Sequence, residues 1–130
     1  MFDYSLEWDG YEFKTTSLES WEPPSYGGIY AIMYKELAEA EEYVLLYFGE
    51  TGDFSKCKID SSHHKYDCWA THGYSYDDYE TGIDISGEKI KPSELVRTFF
   101  IGIYKINNAS RRGTIKRNLI KKYKPKCNLD

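Results

Sequence analysis

Two runs of β-branched and aromatic residues, 29–34 and 43–48, are separated only by residues 35–42. Runs of this composition read as buried strands. The joining segment, Lys-Glu-Leu-Ala-Glu-Ala-Glu-Glu, is too short to hold a helix by itself, so it reads as a long hairpin loop with room for one helical turn. A third run, residues 97–106, has the same character and lies far along the chain. Ahead of these, residues 4–14 alternate apolar and polar around Asp9-Gly10. Both residues of that pair tolerate positive φ, which makes it a strong hairpin signal.

The helices are fewer. Gly52-Asp53 offers an N-cap for an interrupted helix over about 54–72, closed by Gly73. Asn107-Asn108 turns the chain into a last helix over 110–123, on which Ile115, Leu119, Ile120 and Tyr123 form one apolar stripe. Residues 74–91 are polar and turn-rich, with a small hairpin expected at Ser86-Gly87 and a helical turn at Pro92-Ser93-Glu94. The expected fold class is therefore α/β, more closely α+β. It has a small antiparallel three-stranded central sheet flanked by helices, behind an extra N-terminal β-hairpin. The 130 residues fit a single domain, with a hairpin extension over 1–26, a core over 27–128 and an insertion at about 73–92.

Charge is divided along the chain. The net charge is −4, yet residues 1–50 carry only Lys14 and Lys35 as cations, whereas no acid lies between Glu94 and Asp130. Arg112, Lys116, Arg117 and Lys121 on the last helix are candidate phosphate contacts, and the acidic front half, with Glu39, Glu41 and Glu42, is a candidate surface for a cationic protein. Mutual neutralisation of the two ends in the fold is the plainer alternative. No apolar run approaches the ~18–20 residues of a membrane span, so no membrane association is expected. Met1 leads straight into Phe2-Asp3 without a basic stretch, and a cytoplasmic protein is expected. Cys57, Cys68 and Cys127 include no C-x-x-C pair, and in that compartment they read as reduced thiols, Cys127 as a small packing residue.

Gly28-Ile29-Tyr30, followed by Tyr47-Phe48-Gly49-Glu50-Thr51-Gly52-Asp53, resembles the opening of the GIY-YIG nuclease family. The run from Asn118 through Leu119-Ile120 to Pro125 and Asn128 is similar to that family's closing segment. The resemblance implies a GIY-YIG-like fold and a DNA phosphodiesterase chemistry. In that chemistry a tyrosine from one triplet helps to generate hydroxide. An arginine and one divalent cation, usually Mg²⁺, held by a glutamate neutralise charge building on the phosphorus. Tyr30 and Tyr47 stand at the tyrosine positions. The arginine position falls on Cys57, and the glutamate position falls on Lys116, which has the wrong charge for a metal ligand. The resemblance thus implies a vestigial catalytic set and a nucleic-acid- or protein-binding module, with no cofactor and no metal. The alternative is an active divalent-metal-dependent DNA endonuclease with displaced catalytic residues, in which Glu50 would serve as ligand and Mg²⁺ as cofactor.

Three smaller readings accompany these. His63 and His64 read as solvated surface rather than a replacement base. His64, Cys68 and His72 share a four-residue spacing and, with Cys57, are a candidate zinc set if the segment is helical. Tyr74, Tyr76 and Tyr79 among aspartates read as an exposed loop or a partner surface.

Overall fold

A computed structural model describes residues 4–34, 43–60, 62–73 and 99–128. The insertion expected at 73–92 lies almost wholly outside them, as do Glu39, Glu41, Glu42, Arg97, Tyr74, Tyr76, Tyr79 and the small hairpin and turn expected at 86–94. The chain is α+β. Strands β1 (Tyr4–Trp8), β2 (Tyr11–Ser17), β3 (Gly28–Tyr34), β4 (Val44–Thr51) and β5 (Phe99–Lys105) combine with helices α1 (Tyr66–Gly73) and α2 (Ala109–Tyr123). Single 3-10 turns occupy Phe54–Lys56 and Lys126–Asn128. Among the described residues no helix is long and apolar enough to cross a membrane.

Among the described residues the sheet has five strands in the order β1-β2-β5-β3-β4, all antiparallel, not three. The N-terminal hairpin is therefore no separate extension. It turns at Asp9 (φ 53°) and Gly10 (φ 83°), and β2 then pairs with β5 from Lys14↔Ile103 to Ser17↔Phe100. The reason is backbone satisfaction. With β3 on one side only, β5 would present its other row of N–H and C=O groups to solvent, an edge that a further strand relieves. The hairpin tip is also tied to α2: the Asp9 amide donates to the Tyr123 hydroxyl at 2.8 Å, and Lys122 forms an ion pair with Asp9.

Each face of the sheet carries its own core. On the α1 side Tyr30, Ile32, Leu46, Ile101 and Ile103 pack with Phe54, Tyr66, Trp69 and Phe99. On the α2 side Phe13, Ile29, Ala31, Met33 and Phe48 pack with Ile115 and Leu119, with Ile120 at the margin. Strand β3 is covered on both faces, which is why Gly-Ile-Tyr-Ala-Ile-Met is continuously apolar rather than alternating. The pairing of β3 with β4 steps from Ile32↔Tyr47 to Met33↔Leu45, leaving Leu46 without a partner. This bulge lets Leu46 and Tyr47 both serve the α1 side.

The helix expected over about 54–72 divides into the Phe54–Lys56 turn and α1. Asp53 takes both the Ser55 amide and hydroxyl, and Asp60 does the same for Ser62. These local side-chain bonds offer the backbone an alternative to the helical ladder. The last helix lies where expected, capped by Asn108, whose Oδ1 accepts from the Arg111 amide at 2.9 Å.

Candidate functional site

The two triplets meet side by side. Tyr30 on β3 faces Gly49 on β4, and Tyr47 pairs with Ile32 two residues along. A Cβ on Gly49 would run into the Tyr30 ring, so the glycine makes room for the phenol to lie across the strand. The Tyr30 and Tyr47 ring centroids are 5.9 Å apart, and Tyr30 is only 3% exposed. Cys57, at the expected arginine position, is half-buried and close enough to bear electrostatically on both phenols.

What closes over Tyr30 is His63. Its Nδ1 accepts the Lys65 amide at 3.0 Å, which leaves the ring proton on Nε2 to donate to the Tyr30 hydroxyl at 2.9 Å. The Tyr30 hydroxyl thus accepts from His63, with the Tyr47 ring beside it. The result is a directed pair of hydrogen bonds from the Lys65 amide through His63 to Tyr30. His64 stacks on His63 at 4.4 Å, and Trp69 lies 4.5 Å from the same ring. His64 is exposed as expected, but the reading of His63 as solvated surface is corrected: it is half-buried and bonded. The interrupted helix expected over about 54–72 carries no indication that His63 turns toward Tyr30.

Electrostatics follow burial. Desolvation pushes the Tyr30 phenol far above its ordinary range, and the neighbouring Tyr47 and Cys57 add to this. Burial raises Tyr47 as well. Burial, then the adjacent His64, pushes His63 down to about 4. Both phenols therefore keep their protons and His63 stays neutral at pH 7.

The basic positions lie on the other side of the sheet. Glu50 pairs with Ile29 across β3 and β4 and so projects toward α2. There Arg112 Nε meets Glu50 Oε2 at 3.3 Å, Lys116 Nζ meets Glu50 Oε1 at 3.2 Å, and Arg112 Nη1 donates to the Ile106 carbonyl at 3.2 Å. Lys116, at the expected glutamate position, is thus held by a carboxylate on the same strand as Tyr47 but on the opposite face of the sheet. Both oxygens of Glu50 are engaged by cations. Arg117 and Lys121, one turn apart, are exposed on the outer side of α2.

The cysteines do not stay as three thiols. Cys68 on α1 and Cys127 in the last 3-10 turn form a disulfide, with Cα atoms 5.9 Å apart, and Cys57 is free. This corrects the expectation of reduced cysteines and removes Cys68 from any zinc set with His64. The side chain of His72 lies outside the described residues. Among them no group of three or more His, Cys, Asp or Glu side chains is placed to hold a metal ion. In comparisons with protein families, curated proteins and solved structures, nothing matches this chain.

Proposed function

We propose that this chain is a catalytically silent relative of the GIY-YIG nucleases that binds nucleic acid through the outer side of α2. One observation carries the reading: the cations of α2 fall into two sets. Arg112 and Lys116 are neutralised by Glu50, whereas Arg117 and Lys121 are exposed and meet no carboxylate of the described residues. Like charges one helical turn apart work against helix stability. Phosphates lying along that side would relieve the repulsion and release their counterions.

The loss of cleavage rests on the same geometry. A base derived from Tyr30 would have to give up a proton that burial retains. A metal at Glu50 would have to displace two cations from its oxygens. The strand–strand–helix–strand–helix order over β3 to α2, with the strands of Tyr30 and Tyr47 adjacent, supports the kinship.

The test is a titration of fluorescent duplex and single-stranded oligonucleotides over a range of salt. Affinity should fall linearly on logarithmic axes, and Lys121→Gln should lower the slope by about one phosphate equivalent. Absence of binding at low salt would sink the proposal. So would nicking of plasmid DNA in Mg²⁺ or Mn²⁺ that Tyr30→Phe abolishes.

A further inference from the structure

We infer that the Cys68–Cys127 disulfide is a redox latch that keeps the C-terminal turn seated on the open edge of the sheet. Among the described residues, strand β4 pairs with a strand on one side only, β3. On its other side the Asn128 side chain takes the place of a neighbouring strand: Oδ1 accepts the Phe48 amide at 2.7 Å, and Nδ2 donates to the Phe48 carbonyl at 2.9 Å. One amide side chain thus satisfies both backbone groups of an edge residue.

The turn that delivers Asn128 is weakly held by local bonding. Lys124 ends α2 in the left-handed region, and Pro125, which has no amide hydrogen, follows. Within the turn the described backbone bond runs from the Asn128 amide to the Pro125 carbonyl at 3.1 Å. What fastens it to the body is the Asn128–Phe48 pair, the burial of Cys127 at 0% exposure, and the bond from Cys127 to Cys68. That bond joins α1 to a residue next to Asn128, across a separation of 59 residues. Cys68 is half-exposed and Cys127 is fully buried, so an external thiolate reaches the Cys68 sulfur first.

The chemistry is thiol–disulfide exchange with the glutathione couple. A glutathione thiolate attacks Cys68 Sγ, the Sγ–Sγ bond breaks, and Cys127 leaves as a thiolate that takes up a proton. A second glutathione thiolate attacks the glutathione sulfur of the mixed disulfide and releases Cys68, which is protonated in turn. Two glutathiones are oxidised to one glutathione disulfide, and the protein disulfide is reduced to two thiols. Oxidised glutathione runs the exchange in reverse and reseats the turn. The controlled element is the edge of β4 at Phe48, closed when the bond is present and open to water or another strand when it is absent.

The experiment uses the full chain equilibrated with oxidised or reduced glutathione. It counts free thiols and follows hydrogen exchange at Phe48, with Leu119 on α2 as internal reference. One free thiol is expected after oxidation and three after reduction. Exchange at Phe48 should accelerate by about tenfold or more on reduction while Leu119 keeps its protection, as local opening requires. Cys68→Ala should show the fast rate in both buffers, and Asn128→Ala should show it even with the disulfide intact. Three free thiols after oxidation would overturn the latch, as would an unchanged Phe48 rate on reduction. Loss of Leu119 protection on reduction would also overturn it, by making the bond a requirement of the whole fold. The outcome does not depend on nucleic-acid binding, so this inference and the proposed function fail separately.

Discussion

The two faces of one sheet have been put to opposite uses. On the α1 side polar groups are buried among rings: Tyr30 and His63 bond to one another, and with Tyr47 they stay neutral beside Trp69 and Phe54. On the α2 side the polar groups are charged and half-exposed, with Glu50 between Arg112 and Lys116. The same strands supply both, since Gly49 accommodates Tyr30 and its neighbour Glu50 points the other way. The contrast shows how burial and counter-charge decide what polar groups on one sheet can do. A phenol sealed by burial holds its proton, and a carboxylate matched by two cations offers no ready place for a third.

The contrast is broken most severely by emptying the α1 side. Trp69 is fully buried among Tyr47, His63, Tyr66 and Phe99, and Trp69→Ala should cost about 3–5 kcal/mol by urea denaturation. Leu119→Ala beneath α2 should cost about 2–5 kcal/mol. A loss below half a kcal/mol at either position would mean that the face is not packed as described.

Next in size is the hydroxyl that His63 meets. Tyr30→Phe leaves the His63 Nε2–H short of a partner and should destabilise by about 1–3 kcal/mol, the cost of a buried unsatisfied group. A neutral result would show that His63 does not depend on Tyr30.

Acid should then distinguish the faces. His63 is held near 4 in the fold, below its ordinary value of 6.5, so between those values the unfolded chain binds the proton more readily. The stabilisation is complete above 6.5 and is lost as pH falls through that window toward 4, by about 1–2 kcal/mol once half-exposure is allowed for. His63→Gln should flatten the slope of Tm against pH across the window. Asp53 and Asp60, both lowered chiefly by hydrogen bonds to serine, act only at lower pH, where carboxylates titrate. An unchanged slope in the variant would place the titrating group elsewhere.

The smallest effect belongs to the charged face. Glu50→Gln removes a partly exposed ion triad and should cost about 0.5–1 kcal/mol, shrinking as salt is raised. Under the proposed function the same change should tighten oligonucleotide binding at low salt, because Arg112 and Lys116 are released from their counter-charge. Weaker binding would place Glu50 on the contact surface itself.

Much of the fold was legible because its signals are local. Asp9-Gly10 marks a hairpin by positive φ, Asn108 caps α2, and the Ile115 and Leu119 spacing identifies its buried stripe. The adjacency of the strands carrying Tyr30 and Tyr47 also followed from the short connection between them. The extent of the sheet was less legible. Nothing in residues 4–14 states that β2 will close the free side of β5, since pairing partners carry no mark of each other. The split of the 54–72 segment was present in Asp53 and Asp60 ahead of Ser55 and Ser62, but side-chain competition with the helix is weak enough that tertiary context decides it.

The amino-acid sequence by itself determined the strands, the turns, the caps and the identity of the residues at the positions that the GIY-YIG resemblance singles out: Tyr30, Tyr47, Cys57 and Lys116. These depend on backbone preference and on periodicities that extend over a few residues. Tertiary structure alone decided what those residues meet. His63 reaches Tyr30 from 33 positions away, Cys127 bonds to Cys68 across 59, and Asn128 closes the edge at Phe48 across 80. Contacts at such separations arise from how two cores pack against one twisted sheet, which fixes the burial and the counter-charge of each group. Those two quantities set whether a tyrosine keeps its proton and whether a lysine faces a phosphate or a glutamate.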